Sequence, residues 1–169
     1  LGAVHAITLA RRLGDRVRGV VVINGLDLEM FAQRLKDLGQ VARSWYMGFM
    51  QIPWLPEALA KIAPNTSQWL VNSLSGGSNL QPAVEGFDQR TVGPLNQYRA
   101  FVRETLTIKS QQSRLKAPLL VLWGRDDGVL VPPSQHEWDR VAFQSTIRII
   151  PGGHWLHRDQ GDQVMAFMN

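Results

Sequence analysis

Apolar and polar positions fall along this chain in two textures, and the change between them divides it. At the start, Ala6, Leu9, Ala10 and Leu13 recur at helical spacing while His5, Thr8 and Arg12 fall opposite. That pattern predicts an amphipathic helix over residues 3–13, closed by Gly14. RVRGVVVIN follows, a short β-branched run of the kind buried in a parallel sheet. Helix, short loop and buried strand read as part of a βαβ unit whose first strand precedes Leu1.

After Asn24 the texture changes. From Asp27 to about Gln112, short helical patterns are broken by Pro53, Pro56, Pro64, Pro82 and Pro94, and no strand pattern stands out. NTSQWLVNSL offers a helix start with Asn65 or Thr66 as cap, Gly76-Gly77 marks a loop, and PLNQYRAFVRETL reads as a longer helix. Strand texture then returns in APLLVLWG, residues 117–124, and in STIRIIPGG. A helix is predicted from Pro132-Pro133 to about Val141, and a last one in GDQVMAFMN. The order predicts an α/β fold in three parts: core elements over residues 1–26, a helical insertion over 27–113, and further core over 114–169.

Composition narrows the function without naming it. The 169 residues are 44% hydrophobic and 19% charged, an ordinary globular balance. A net charge of +4 raises the question of nucleic acid, but the basic residues are scattered singly or in pairs, as on a solvated surface. There is no cysteine, so disulfides and thiolate ligands are excluded. No apolar run approaches the ~18 residues that span a bilayer, and no targeting segment is visible; the cytoplasm is the expected compartment.

In open α/β sheets, functional groups gather just past the carboxyl ends of the strands. VLWGRDDGVL places Asp126 and Asp127 after one buried strand, and IIPGGHWLH places His154 after the next, behind two glycines that allow a sharp turn. A carboxylate and an imidazole on neighbouring strand ends can meet, the carboxylate fixing the tautomer and supporting the imidazolium. Asp27, just past VVVIN, is an alternative acid. Asn24 and Gly25 are expected to shape the strand-end turn, His5 and His136 to be surface or packing residues. His154 and His157 form H-x-x-H, but no carboxylate stands at the spacing of a zinc protease, so no metal and no cofactor is expected.

WGRDD followed by GGHWLH resembles the acid and histidine segments of the α/β-hydrolase family, whose nucleophile sits on an elbow G-x-[S/D/C]-x-G. The G-x-x-D spacing then favours Asp127 over Asp126. Leu1 and Gly2 resemble the last two residues of the elbow, so the nucleophile would lie just before Leu1. Within the insertion, SWYMGFMQIPWLPE resembles the first cap helix of epoxide hydrolases, where a tyrosine precedes F-x-Q-x-P, and PLNQYR resembles the segment carrying a second tyrosine. Tyr46 and Tyr98 are the only tyrosines in the chain.

The resemblance implies an epoxide hydrolase acting on a small hydrophobic epoxide. An upstream aspartate attacks the ring, Tyr46 and Tyr98 hydrogen-bond its oxygen, and His154 with Asp127 activates water against the ester. The N–H of Leu1 would serve the oxyanion hole. Haloalkane dehalogenases share this design but carry a tryptophan where Leu1 stands; a serine esterase or lipase accommodates Leu-Gly but not the paired tyrosines. A non-catalytic binding module is the reading from another class. A missing N-terminal half of the core, on the same or a second chain, is the expected partner, because the strand at Val20 would otherwise be an open apolar edge. A homodimer is compatible with the sequence.

Overall fold

The computed structural model describes residues 1–62, 89–108 and 113–168. The helix start at Asn65 or Thr66 and the Gly76-Gly77 loop lie outside these residues, as do Pro64 and Pro82. Three parallel strands form the sheet, in the order β1 (Val20–Ile23), β2 (Leu119–Gly124), β3 (Ser145–Ile150). Val22 pairs with Val121 and Val121 with Ile147, so the three carboxyl ends lie along one edge. β2 is central, and its run LLVLWG is apolar at every position because both its faces are covered.

Alternate residues of β2 feed two cores. Leu119, Val121 and Trp123 face Val4, Ile7 and Ala10 of α1 (Gly2–Leu13) and Trp138 and Val141 of the helix before β3. Leu122, with Leu120 beside it, faces Ile150 and the C-terminal residues Leu156 and Val164. Between β1 and β2 the described residues hold α2 (Leu28–Arg34), α3 (Leu38–Arg43), α4 (Trp45–Gln51), α5 (Leu55–Ile62) and α6 (Gln89–Thr107), with no strand among them. α6 packs on α2 and α4, with the Phe31 and Phe101 rings 5.1 Å apart. After β2 come α7 (Gln135–Val141), β3, α8 (Leu156–Asp159) and α9 (Gly161–Met168).

Several elements depart from the sequence expectation. The apolar stripe predicted for α1 shares only Ala10 with the buried face, which is Val4, Ile7 and Ala10; Leu9 is 56% exposed. Leu13 of the expected stripe is also exposed. α7 begins at Gln135 rather than at the prolines. Ser134-Gln-His-Glu137 is a capping box, the Glu137 carboxylate accepting from the Ser134 N–H at 2.8 Å, and this fixes the start. Pro94 lies inside α6, which starts five residues earlier than PLNQYR suggested, since one proline removes one ladder bond without stopping a 19-residue helix. α8 had no counterpart in the sequence reading.

Trp138 is fully buried, and its indole N–H has no hydrogen-bond partner among the described residues. Its contribution is therefore packing. Trp138→Ala is expected to cost about 3–5 kcal/mol in urea unfolding, and Trp138→Phe much less; equal losses would contradict a packing role.

Candidate active site

The carboxyl edge of the sheet brings three strand ends together. Asp127 lies three residues past β2, His154 four past β3, and Asn24 directly past β1. Asp127 is 6% exposed and every bond to its carboxylate is local to this edge. Oδ1 accepts from the N–H groups of Val129 (2.8 Å) and Leu130 (3.0 Å), which closes the turn on its own side chain. Oδ2 accepts from Asn24 Nδ2 at 2.7 Å and lies 2.9 Å from His154 Nδ1. Burial pushes the Asp127 carboxyl up, but His154, the Leu130 N–H and the Asn24 amide together hold it below its usual range. An ionised carboxylate only accepts, so Nδ1 of His154 carries the proton and Nε2 is left as the base.

The close approach of β2 and the histidine loop has a backbone cause. A Cβ on Gly124 would collide with the Gly153 carbonyl oxygen and lie 2.6 Å from that of Gly152. Gly152 itself has φ +139, a conformation that favours glycine. The sharp turn expected of the two glycines is thus carried by Gly152, and Gly124 provides the room opposite.

Asn24 does more than shape a turn. It sits at φ +42, is buried, and uses its amide on three sides. Nδ2 reaches Asp127 and the Gly153 carbonyl (3.3 Å), while Oδ1 accepts from the Gly124 N–H at 2.9 Å. One side chain therefore joins β1, the acid turn and the histidine loop. The sequence pointed to a residue that shapes the strand-end turn, but nothing in it disclosed which groups the Asn24 amide would meet.

Asp27, the alternative acid, is engaged elsewhere. Its two oxygens accept from Arg11 Nη1 (2.9 Å) and Nη2 (3.2 Å), and it starts α2. The pair borders a separate cavity of about 150 Å³ lined by Glu29, Glu137 and Arg140 among others. The structure brings Asp127, not Asp27, to His154. Asp126, His5, His136 and His157 are exposed. No cluster of metal-ligating side chains occurs among the described residues.

The tyrosines converge from two helices. Tyr46 on α4 is buried and Tyr98 on α6 half-buried, with ring centroids 6.2 Å apart in an edge-to-face arrangement. Burial raises the Tyr46 phenol first, and the neighbouring Tyr98 and the Asp127 charge raise it further; burial also raises Tyr98. Both phenols are therefore harder to ionise than a free tyrosine. Leu1 stands at the head of α1, whose Ala3 packs so tightly on Gly25 that a side chain there would collide with it.

Folding lowers the Asp127 pKa, so its contribution to stability is complete above the ordinary aspartate value of about 3.9 and is lost as the pH falls through the lower folded value. In urea unfolding across that acid arm, the wild type is expected to lose stability more steeply with falling pH than Asp127→Asn; parallel slopes would contradict the assignment.

No family profile matches the chain. Epoxide hydrolase 3 of Mus musculus is 29% identical over 168 residues, covering 90% of this chain and 44% of that protein. The chain thus spans less than half the length of this curated relative. Among solved structures, an epoxide hydrolase of Bacillus megaterium in complex with an inhibitor superimposes with a TM-score of 0.70 at 19% identity, over 99% of this chain and 64% of that one. A structure of novel epoxide hydrolases belonging to the α/β-hydrolase superfamily, from hot-environment metagenomes, gives 0.59 at 18% identity over 99% of this chain and 63% of that one. The parallel sheet, the helices on both its faces and these likenesses make the chain an epoxide hydrolase-like polypeptide with part of an α/β-hydrolase fold.

Proposed function

We propose that the chain supplies the acid, the histidine and the cap of an epoxide hydrolase whose nucleophile lies upstream of Leu1. The observation that carries this reading is the pairing of Tyr46 with Tyr98 within the electrostatic reach of Asp127. Two protonated, largely desolvated phenols in contact are a pair of hydrogen-bond donors, which suits a strained ring oxygen that becomes an alkoxide.

In the proposed cycle an aspartate carboxylate attacks one epoxide carbon and the C–O bond of the ring breaks. The leaving alkoxide takes a phenol proton from Tyr46 or Tyr98, giving a hydroxyalkyl ester. His154 Nε2 then takes a proton from water as its oxygen attacks the ester carbonyl, and Asp127 stabilises the imidazolium through Nδ1–H. Collapse of the tetrahedral intermediate expels a second alkoxide, which takes the imidazolium proton to give the diol, and the proton left on the new carboxyl returns to the tyrosinate, restoring both the carboxylate and the phenol. The N–H of Leu1, at the head of α1, supports the oxyanion in this scheme.

The same reading assigns residues 27–113 to a cap over a core made of 1–26 and 114–169, and the partner to the remaining strands of the sheet. Among the described residues β1 pairs on one side only, with β2, and Val21 is exposed. A further strand pairing along the open side of β1 would satisfy its backbone there.

In the complete enzyme, Tyr46→Phe combined with Tyr98→Phe is expected to slow ring opening by about 10²–10⁴-fold, whereas His154→Gln lets the ester form and stall. Rapid-quench mass spectrometry reads both. Normal epoxide turnover by the double tyrosine variant would sink the epoxide reading.

A further inference from the structure

The acid turn is gripped from the helical insertion as well as from the sheet. Gln40, on α3, is wholly buried. Its Oε1 accepts from the Val131 N–H at 3.1 Å, and its Nε2 donates to the Val129 carbonyl at 3.2 Å. The side-chain amide thereby pairs with the chain as a neighbouring strand would. Nε2 also donates to Ser44 Oγ at 2.9 Å. Ser44 is buried and is the residue from which α4 starts, two positions before Tyr46. Arg43 adds Nη1 bonds to the carbonyls of Asp127 (2.9 Å) and Leu130 (3.4 Å).

These contacts account for the backbone of the turn almost group by group. The N–H groups of Val129 and Leu130 go to the Asp127 carboxylate, the carbonyls of Asp127 and Leu130 to Arg43, and the Val129 carbonyl and Val131 N–H to Gln40. A buried glutamine amide that satisfied only its own needs could bond anywhere. This one spans the first residue of the Tyr46 helix and the turn that carries Asp127.

We propose that Gln40 is a positioning residue, a latch that sets Tyr46 at a fixed place relative to the Asp127–His154 pair. The proposal rests on the epoxide hydrolase reading for the meaning of that placement. It also predicts an asymmetry. Without Gln40, Asp127 keeps Asn24, Val129 and Leu130, whereas the start of α4 loses the bond from Gln40 to Ser44 and is tied to the turn through Arg43 alone. The tyrosine-dependent step therefore suffers more than the histidine-dependent one.

Two variants of the complete enzyme test this: Gln40→Met, which keeps the volume and removes the amide, and Gln40→Glu, which keeps an acceptor for Val131 and removes both donors. Single-turnover kinetics with a small hydrophobic epoxide separates ester formation from ester breakdown. Displacements of an ångström or less change rates by tens-fold or more, so ester formation is expected to slow about tenfold or more, with ester breakdown changed far less. Ultraviolet titration of the phenols, referenced to Tyr46→Phe, is expected to show Tyr46 ionising at lower pH in the uncharged variant Gln40→Met as its enclosure loosens. The proposal is overturned if both steps slow by one common factor that follows the folded fraction, if neither changes, or if the Tyr46 titration stays put. A wild type that forms no ester defeats the epoxide reading instead, and the phenol titration then tests the latch by itself.

Discussion

The carboxylate of Asp127 is the constraint on which the rest of the arrangement depends. A buried carboxylate is tolerable only when its oxygens are bonded, and here they take up two backbone N–H groups, the Asn24 amide and the His154 ring. Satisfying it fixes the turn after β2, holds the end of β1 to that turn, and orients the imidazole. The glycines follow from the same demand, since Gly124 must let the histidine loop approach and Gly152 must turn it back. Removing either partner leaves a desolvated charge, a larger penalty than one lost hydrogen bond.

From this centre the helical insertion acquires its geometry. Gln40 and Arg43 tie α3 to the acid turn, and α4 begins at Ser44, so Tyr46 is placed by reference to Asp127. Tyr98 comes from the distant α6, which reaches α4 by packing and by the Arg99 bond to the Met50 carbonyl. The insertion is thus continuous with the sheet core, where Tyr46, Met47 and Phe101 share one buried cluster with Val22 and Val121.

The sequence disclosed what depends on short-range pattern and residue identity. β1 and β2 were legible because a buried parallel strand is an apolar run, and β3, largely exposed, from the short β-branched stretch STIRII ahead of a proline and two glycines. The meeting of Asp127 and His154 was legible because strand ends are where such groups gather, and Tyr46 and Tyr98 were singled out by the resemblance of their segments to an epoxide hydrolase cap. The buried face of α1 was not, because apolar residues fall on more than one side of the helix, and spacing alone cannot say which side is covered. The role of Asn24 and the burial of Gln40 were hidden for a similar reason. A polar side chain inside a fold is decided by the backbone groups it meets, and those lie about a hundred residues away in sequence.

The central claim, that Asp127 and His154 direct water onto an ester of the enzyme, has a direct isotopic test. A single turnover with enzyme in excess over epoxide in ¹⁸O-water should leave the label in a carboxylate of the enzyme, because water attacks the ester carbonyl and the diol keeps the original carboxylate oxygen. Label found only in the diol after that first turnover would show water attacking the epoxide itself and would contradict the account.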